Sequence, residues 1–227
     1  MYWVIACLAV LGIAIDIWFI RTEYAGKMVK ATVYKGLASL TFVSLGVYAY
    51  IRVPSRFGLM IVIGLILGLI GDVLLNLRNV LKGDASKKIF ALGIFSFVCG
   101  HFLYIAALIG RNADIILISL IVTAVLSAIF IRPLMTRITA PSKGLEIFGY
   151  VYLVIVICMS SSAGVLLFKE GPNPLTLLFF IGGLFFVVSD FIMIYYSFGK
   201  KIKPLRAINL LAYFVGQVLI ATSILFA

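Results

Sequence analysis

The sequence predicts an all-α membrane protein that crosses the bilayer several times. Of its 227 residues, 64% are hydrophobic and only 12% are charged, whereas soluble domains are about 45–50% apolar. The apolar residues form long continuous runs without the alternation of a β-barrel strand, and such runs cross a bilayer as helices. Because the connections between the runs are short, we expect residues 1–227 to form a single transmembrane domain.

Eight apolar runs are close to the roughly 20 residues that a helix needs to cross the hydrocarbon. The predicted spans are about 2–20, 32–51, 57–77, 89–110, 114–131, 144–168, 174–198 and 205–226. The first run lacks both a basic start and a small-residue cleavage site, so we expect it to be a retained helix rather than a signal peptide.

The basic residues predict the orientation of these spans. The net charge is +11, and most Lys and Arg residues lie in the connections after spans 1, 3, 5 and 7. The positive-inside rule therefore places these connections in the cytoplasm and both termini outside, which in a bacterium means the cytoplasmic membrane. Basic residues at these positions indicate contacts with the head groups of membrane lipids, so no nucleic-acid partner is expected.

Two aspartates interrupt the apolar runs. Asp72 lies in GLILGLIGDVLLNL, residues 64–77, and Asp190 lies in GLFFVVSDFI, residues 183–192. A carboxylate inside a spanning segment costs about 2.5–3.5 kcal/mol on insertion scales, so it normally faces a protein interior or a wet cavity. The two aspartates therefore predict a site between helices.

The surroundings of the aspartates suggest an internal repeat. Asp72 and Asp190 are separated by almost the same number of residues as Gly100-His101 and Gly216-Gln217. Spans 1–4 and 5–8 would then be tandem four-helix halves, and repeats of this kind often hold a site at their interface. Chance similarity between apolar helices explains the same pattern and stays open from the sequence alone.

Further polar residues lie between the midplane and the predicted cytoplasmic face, so we expect the site to open toward the cytoplasm. Lys35 is placed to pair with Asp72, and Asn76 lies one turn after Asp72, where it can support the carboxylate. His101 shares a helix face with Tyr104, and Tyr213 shares one with Gln217. The candidate site residues are Lys35, Asp72, Asn76, His101, Tyr104, Ser189, Asp190, Tyr213 and Gln217.

Each of these residues also has a purely structural interpretation. The Lys35–Asp72 pair can hold helices together, and Ser189 can serve helix packing, since it lacks the context of a nucleophilic serine. A lone histidine such as His101 is commonly a satisfied hydrogen-bonding residue. Asp16 and Glu146 lie nearer the interface, and we interpret them as determinants of topology.

Metal-dependent chemistry is disfavoured by the residue types. A zinc site needs three protein ligands, commonly histidines. The chain contains one histidine, and the two aspartates lie on other predicted helices. We therefore expect no metal and no cofactor.

Five short motifs follow one another along the chain: YKGLASL around Lys35, GDVLL around Asp72, the F-x-x-G-H-x-x-Y run at 97–104, SDF at 189–191, and Y-x-x-x-Q at 213–217. In this order they resemble the YhhN, or lysoplasmalogenase, family of eight-span membrane proteins. The Tyr-rich start of span 6, GYVYLVIVICM, also fits. One departure is Gly36 after Lys35, where many relatives have a proline nearby.

The resemblance implies hydrolysis of the vinyl ether bond of lysoplasmalogens, a class of lysophospholipid. The products would be a fatty aldehyde and glycerophosphoethanolamine or glycerophosphocholine. This reaction needs an acid to protonate the alkene carbon, a carboxylate to stabilise the resulting oxocarbenium ion, and water. Two carboxyls in different environments can divide these roles.

Our hypothesis assigns Asp190, which has no obvious cation nearby, as the acid, and Asp72 beside Lys35 as the ionised partner. The reverse assignment stays open. The other candidate residues would position the polar head or water, with the alkenyl chain in an apolar groove that opens to the inner leaflet. A small-molecule or proton-coupled transporter would use similar carboxylates, but it needs access from both sides. A lipid-binding membrane protein without turnover is the third interpretation.

Overall fold

The computed structural model describes residues 2–139, 143–200 and 202–227, and within these it leaves out the side chains of Tyr2 and Leu145. The described residues form helices and no strands, which confirms the all-α class. The eight long helices are α1 (Tyr2–Tyr24), α2 (Met28–Arg52), α3 (Arg56–Leu77), α4 (Gly83–Arg111), α5 (Ile116–Met135), α6 (Lys143–Glu170), α7 (Pro174–Phe198) and α8 (Lys203–Ser223). Short 3-10 turns, Ala113–Ile115 and Ile224–Phe226, precede α5 and follow α8.

The helix ends follow from local sequence. The side chain of Ser55 accepts a hydrogen bond of 3.0 Å from the backbone N–H of Gly58 at the start of α3, as expected of an N-cap serine. Asn173 and Thr176 form a reciprocal capping box before α7, with Pro174 in its first turn. The observed bounds lie within four residues of the predicted ones except at the start of α4, where residues 83–88 continue the helix beyond the apolar run.

Seven of these helices are long and apolar enough to cross a membrane, which makes the chain a multi-pass membrane protein. The eighth, α2, falls outside this set because its interior carries Lys35, Ser39 and Thr41, all buried. It is nevertheless 25 residues long, or about 37 Å at 1.5 Å per residue, and packs against α1, α3 and α8. An eighth span and the placement of both termini outside stay predictions.

The helix packing supports the internal repeat. Within each half, every helix packs on the next one along the chain. Between the halves, α8 touches α1 and α3, and the most extensive contacts are those of α2 with α8 and of α4 with α6. When α1–α4 are matched in order with α5–α8, α2 corresponds to α6 and α4 to α8, so the α2–α8 contact corresponds to the α6–α4 contact. This is the relationship expected of tandem repeats with a shared interface.

A glycine pair brings two helices close together in each half. A Cβ atom built on Gly100 of α4 would lie 3.1 Å from the carbonyl oxygen of Gly64 on α3, and one on Gly216 of α8 would lie 2.9 Å from that of Gly182 on α7. Small residues allow such close approach of helix backbones in membranes. Gly64 and Gly182 each lie about two turns before an aspartate, so the pairs fix equivalent helix positions around Asp72 and Asp190.

Candidate active site

The two aspartates line one cavity of about 660 Å³, a volume typical of small-molecule sites. Its mouth is marked by Tyr24, Asn79 and Ser197, which are exposed and lie at the ends of α1, α3 and α7. The cavity therefore opens at the end of the bundle that carries the basic connections. That this end faces the cytoplasm is the prediction of the charge rule.

Asp72 is buried and held by three side chains from two other helices. Ser39 of α2 and Tyr213 of α8 donate hydrogen bonds of 2.5 and 2.8 Å to its Oδ2. The Nζ atom of Lys35 lies 3.8 Å from its Oδ1. The predicted proximity of Lys35 and Asp72 is thus confirmed. Ser39, one turn after Lys35 on the same face of α2, was not anticipated.

Lys35 has a second buried carboxylate beside it. Its Nζ lies 3.6 Å from Oδ1 of Asp16 on α1 and 4.6 Å from the centre of the Tyr213 ring. Asp16 is completely buried, and neither of its carboxylate oxygens has a hydrogen-bond partner among the described residues. The interpretation of Asp16 as a topology determinant is therefore wrong, because two carboxylates share the ammonium group inside the bundle.

Asp190 has a different environment. Tyr152 of α6 donates a hydrogen bond of 2.8 Å to its Oδ2, and no described cation lies within ion-pair distance of it. The amide nitrogen of Asn209 donates to both the carbonyl oxygen and Oγ of the neighbouring Ser189, at 2.8 and 2.9 Å. Sequence reasoning missed Tyr152 as a site residue. The repeat is a signal that could have found it, because Tyr152 of α6 lies beside Asp190 at the place where Lys35 of α2 lies beside Asp72.

A chain of hydrogen bonds runs from Tyr104 to Asp72. The Tyr104 hydroxyl donates to Oε1 of Gln217 at 3.1 Å, and Nε2 of Gln217 donates to the Tyr213 hydroxyl at 3.1 Å. Tyr213 in turn donates to Asp72. Tyr213 lines the cavity, whereas Tyr104 and Gln217 lie outside its lining. The structure thus places these two residues behind Tyr213, where they orient its hydroxyl.

His101 also lies outside the cavity lining. Its Nδ1 is 2.7 Å from the carbonyl oxygen of Phe97, and because a carbonyl only accepts, Nδ1 carries the hydrogen. Its Nε2 is buried without a partner among the described residues. The ring packs edge-on against Phe186 and Tyr152, with centroids 4.7 and 5.9 Å apart. His101 therefore supports Tyr152 from the side away from the cavity.

Asn76 does not support the Asp72 carboxylate as expected. Its side-chain nitrogen donates a hydrogen bond of 3.0 Å to the backbone carbonyl oxygen of Asp72. A side chain at i+4 on a helix readily reaches back to the carbonyl of the preceding turn, and here that bond is preferred. Asn76 still lines the cavity, so it contributes polar surface below Asp72.

Two arginines of the cavity wall were counted in the sequence only as topology determinants. Arg206 of α8 binds both carboxylate oxygens of Glu23 on α1, at 3.1 and 2.9 Å, and Asn209 at 3.2 Å. Arg78, directly after α3, lines the same region.

In the described part of the chain, no cluster of three or more His, Cys, Asp or Glu side chains is arranged to hold a metal ion.

Fold and site together define a helical membrane protein with an acidic site in a cavity that opens at one end. The YhhN family model matches residues 31–224, so the chain belongs to the YhhN family, which is the lysoplasmalogenase family. No curated protein and no solved structure matches the chain. All nine predicted site residues fall within the matched region, and Asp16 on α1 falls before it.

Proposed function

We propose that the chain is a membrane-embedded hydrolase that cleaves the vinyl ether bond of lysoplasmalogens. Its products would be a fatty aldehyde and glycerophosphoethanolamine or glycerophosphocholine. Membership of the YhhN family supports the reaction class. The observation that carries the mechanism is the difference between two aspartates that line one cavity: Asp72 has Lys35 3.8 Å away, whereas Asp190 is bound by the neutral Tyr152.

Asp190 is the general acid in this proposal. An ionised carboxylate is costly to bury without a cation, so the resting Asp190 carries a proton. Tyr152 occupies Oδ2, and Oδ1 has no hydrogen-bond partner among the described residues. The alkene electron pair takes the proton of Asp190 onto the carbon that is not bonded to oxygen. This step leaves Asp190 ionised and forms an oxocarbenium ion at the other alkene carbon.

Asp72 is the ionised partner. Its negative charge, balanced by Lys35 and oriented by Ser39 and Tyr213, stabilises the oxocarbenium ion where it forms. Water adds to the cationic carbon, and the proton that it loses passes to the ionised Asp190. The resulting hemiacetal loses its hydroxyl proton, the carbon–oxygen bond to glycerol breaks, and the glycerol oxygen takes up a proton. Water is thus consumed and the acid is restored.

The alkenyl chain would leave the cavity between α4 and α6. Phe90, Ile94 and Phe97 of α4 line the cavity together with Phe148 and Gly149 of α6. Farther from the mouth the two helices are in contact, through His101 and Tyr152 and through an ion pair of 2.8 Å between Arg111 and Glu170. A Cβ built on Gly149 would meet no atom of α4 within 4 Å, and this space gives an apolar route from the carboxylates to the surrounding lipid.

The transport alternative requires access from both faces. The large cavity has its mouth at one end of the bundle. Behind Asp72 and Tyr213, the described structure is filled by the buried side chains of Tyr104, Phe186 and Gln217. These observations favour a site that exchanges substrate and product with one leaflet.

The test is aldehyde release by purified protein in detergent. Alkenyl and acyl lysophospholipids are supplied in parallel to the wild type, Asp72→Asn and Asp190→Asn, with Asp84→Asn as the control because Asp84 is exposed and outside the cavity. We expect aldehyde from the alkenyl substrate, lost in both cavity variants and retained in Asp84→Asn. Full activity in either cavity variant would exclude this mechanism.

A further inference from the structure

The cavity wall carries a basic zone apart from the two aspartates. It consists of Arg78 and Arg206, which both line the cavity near its mouth. Glu23 binds Arg206 through both carboxylate oxygens. Arg78 forms no ion pair with any described residue, and its guanidinium lies 4.3 Å from the centre of the Phe90 ring. One cation at the mouth is therefore neutralised and the other is not.

The electrostatic environment of Arg78 favours a bound anion. Burial lowers the pKa of the Arg78 guanidinium, repulsion from Arg206 lowers it further, and Glu23 opposes these effects. An arginine stays charged under such conditions. Arg78 is thus a partly desolvated cation beside a second cation. A ligand with one negative charge would offset both the desolvation of Arg78 and its repulsion from Arg206.

We propose that Arg78 binds the phosphodiester of a lysophospholipid head group, which rests on the proposed function of the same cavity. A guanidinium offers paired N–H donors in a plane that matches the oxygens of a phosphate. The guanidinium lies over the Phe90 ring and forms no ion pair with any described residue, so its N–H donors are available to the ligand. The single charge of a phosphodiester matches the single guanidinium that lacks a carboxylate.

The order of Asp72 and Arg78 along α3 fits this ligand. Arg78 continues the helical backbone of α3, with φ −53° and ψ −31°. It lies roughly 9 Å beyond Asp72 along the helix axis at 1.5 Å per residue. In a lysophospholipid the glycerol backbone separates the phosphate from the sn-1 ether. A phosphate at Arg78, on the mouth side of Asp72, would therefore direct the glycerol backbone and its sn-1 ether toward the carboxylates.

The experiment measures binding, so it needs no turnover. The wild type, Arg78→Gln and Arg78→Lys are titrated in detergent with an alkyl ether lysophosphatidylcholine, which has no vinyl ether to hydrolyse, and with the matching 1-O-alkylglycerol, which has no phosphate. Glycerophosphocholine and inorganic phosphate serve as anions without a chain. Arg132→Gln is the matched control, because Arg132 is exposed at the same end of the bundle and outside the cavity lining.

We expect Arg78→Gln to weaken binding of the ether lysophospholipid about ten- to a hundredfold, the usual effect of losing a charge-assisted hydrogen bond. Arg78→Lys should retain part of the affinity for the ether lysophospholipid. Arg78→Gln should bind the alkylglycerol as the wild type does, and Arg132→Gln should bind both lipids as the wild type does. Equal losses for the two lipids, or no loss for either, would overturn the proposal. The proposal would also be overturned if binding of inorganic phosphate or glycerophosphocholine depended on Arg78 while binding of the ether lysophospholipid did not.

The proposed hydrolase and this head-group site fail in different ways. Arg78-dependent lipid binding in a folded protein that releases no aldehyde would refute the reaction and support the site. Aldehyde release by a protein whose affinity for the ether lysophospholipid is unchanged in Arg78→Gln would support the reaction and refute the site.

Discussion

Tyr152 donates a hydrogen bond of 2.8 Å to Oδ2 of Asp190, and the equivalent place in the other half of the bundle is occupied by Lys35 beside Asp72. The two halves thus present one aspartate with a neutral donor and one with a cation to the same cavity. This difference lets carboxyls of the same chemical type divide acid and charge-stabilising roles.

Replacing Tyr152 by phenylalanine should reduce kcat more than it changes KM. The variant removes the hydrogen bond that would stabilise Asp190 as it becomes ionised in the transition state. A hydrogen bond to a charged group contributes about 1.5–3 kcal/mol, which corresponds to a fall in kcat of roughly 10- to 150-fold. Steady-state aldehyde release measures it. Tyr150→Phe, on the same helix but outside the cavity lining, is the control, and equal effects of the two variants would contradict the role of Tyr152.

Lys35→Met should destabilise the protein, and adding Asp16→Asn should restore part of that loss. Removing Lys35 leaves the buried Asp16 and Asp72 without their shared cation, and breaking a buried ion pair costs about 3–5 kcal/mol. The second change removes one of the two unbalanced carboxylates. Thermal unfolding in detergent measures both effects. Additive destabilisation by Asp16→Asn would show that the two carboxylates do not share Lys35.

Gly149→Trp should obstruct the proposed route of the alkenyl chain. A Cβ at Gly149 meets only Met135, at 3.8 Å, so the bulky side chain can project without displacing backbone. We expect kcat/KM for a long-chain substrate to fall about tenfold or more, equivalent to about 1.4 kcal/mol. Gly110→Trp, which meets nothing within 4 Å and lies near the far end of α4, is the control. Unchanged kinetics in Gly149→Trp would place the chain elsewhere.

Gly216→Ala should lower the melting temperature, whereas Gly110→Ala should not. The new methyl group at position 216 would lie 2.9 Å from the carbonyl oxygen of Gly182, so α7 and α8 must separate, and overpacking of this kind costs about 1–3 kcal/mol. Thermal unfolding of the two variants in the same detergent makes the comparison. An unchanged melting temperature for Gly216→Ala would refute the close approach of these helices.

The helices were predictable because the bilayer requires long apolar runs, and the observed bounds follow those runs except at the start of α4. Asp72, Asp190 and Lys35 were predictable as candidates because a charge in such a run stands out. Tyr152, Ser39 and Asn209 were missed because neutral polar residues are common in helices and only packing shows their partners. Asp16 was misassigned because its depth, judged from span ends, does not show that it faces Lys35.

The pairing of α2 with α8 and of α4 with α6 was likewise beyond the sequence. The spacing of two aspartates indicates a repeat but not which helices meet across its interface. That interface brings Tyr213 of α8 to Asp72 of α3, and it places His101 of α4 behind Tyr152 of α6.

Hydrolysis in deuterated water tests the central claim most directly. The purified protein is given an alkenyl lysophospholipid in D₂O, the aldehyde is reduced at once to the alcohol, and deuterium is located by mass spectrometry. If Asp190 protonates the alkene carbon, the product carries deuterium on the carbon next to the former aldehyde carbon, and Asp190→Asn forms no product. Aldehyde without deuterium at that carbon, or undiminished product from Asp190→Asn, would contradict the account.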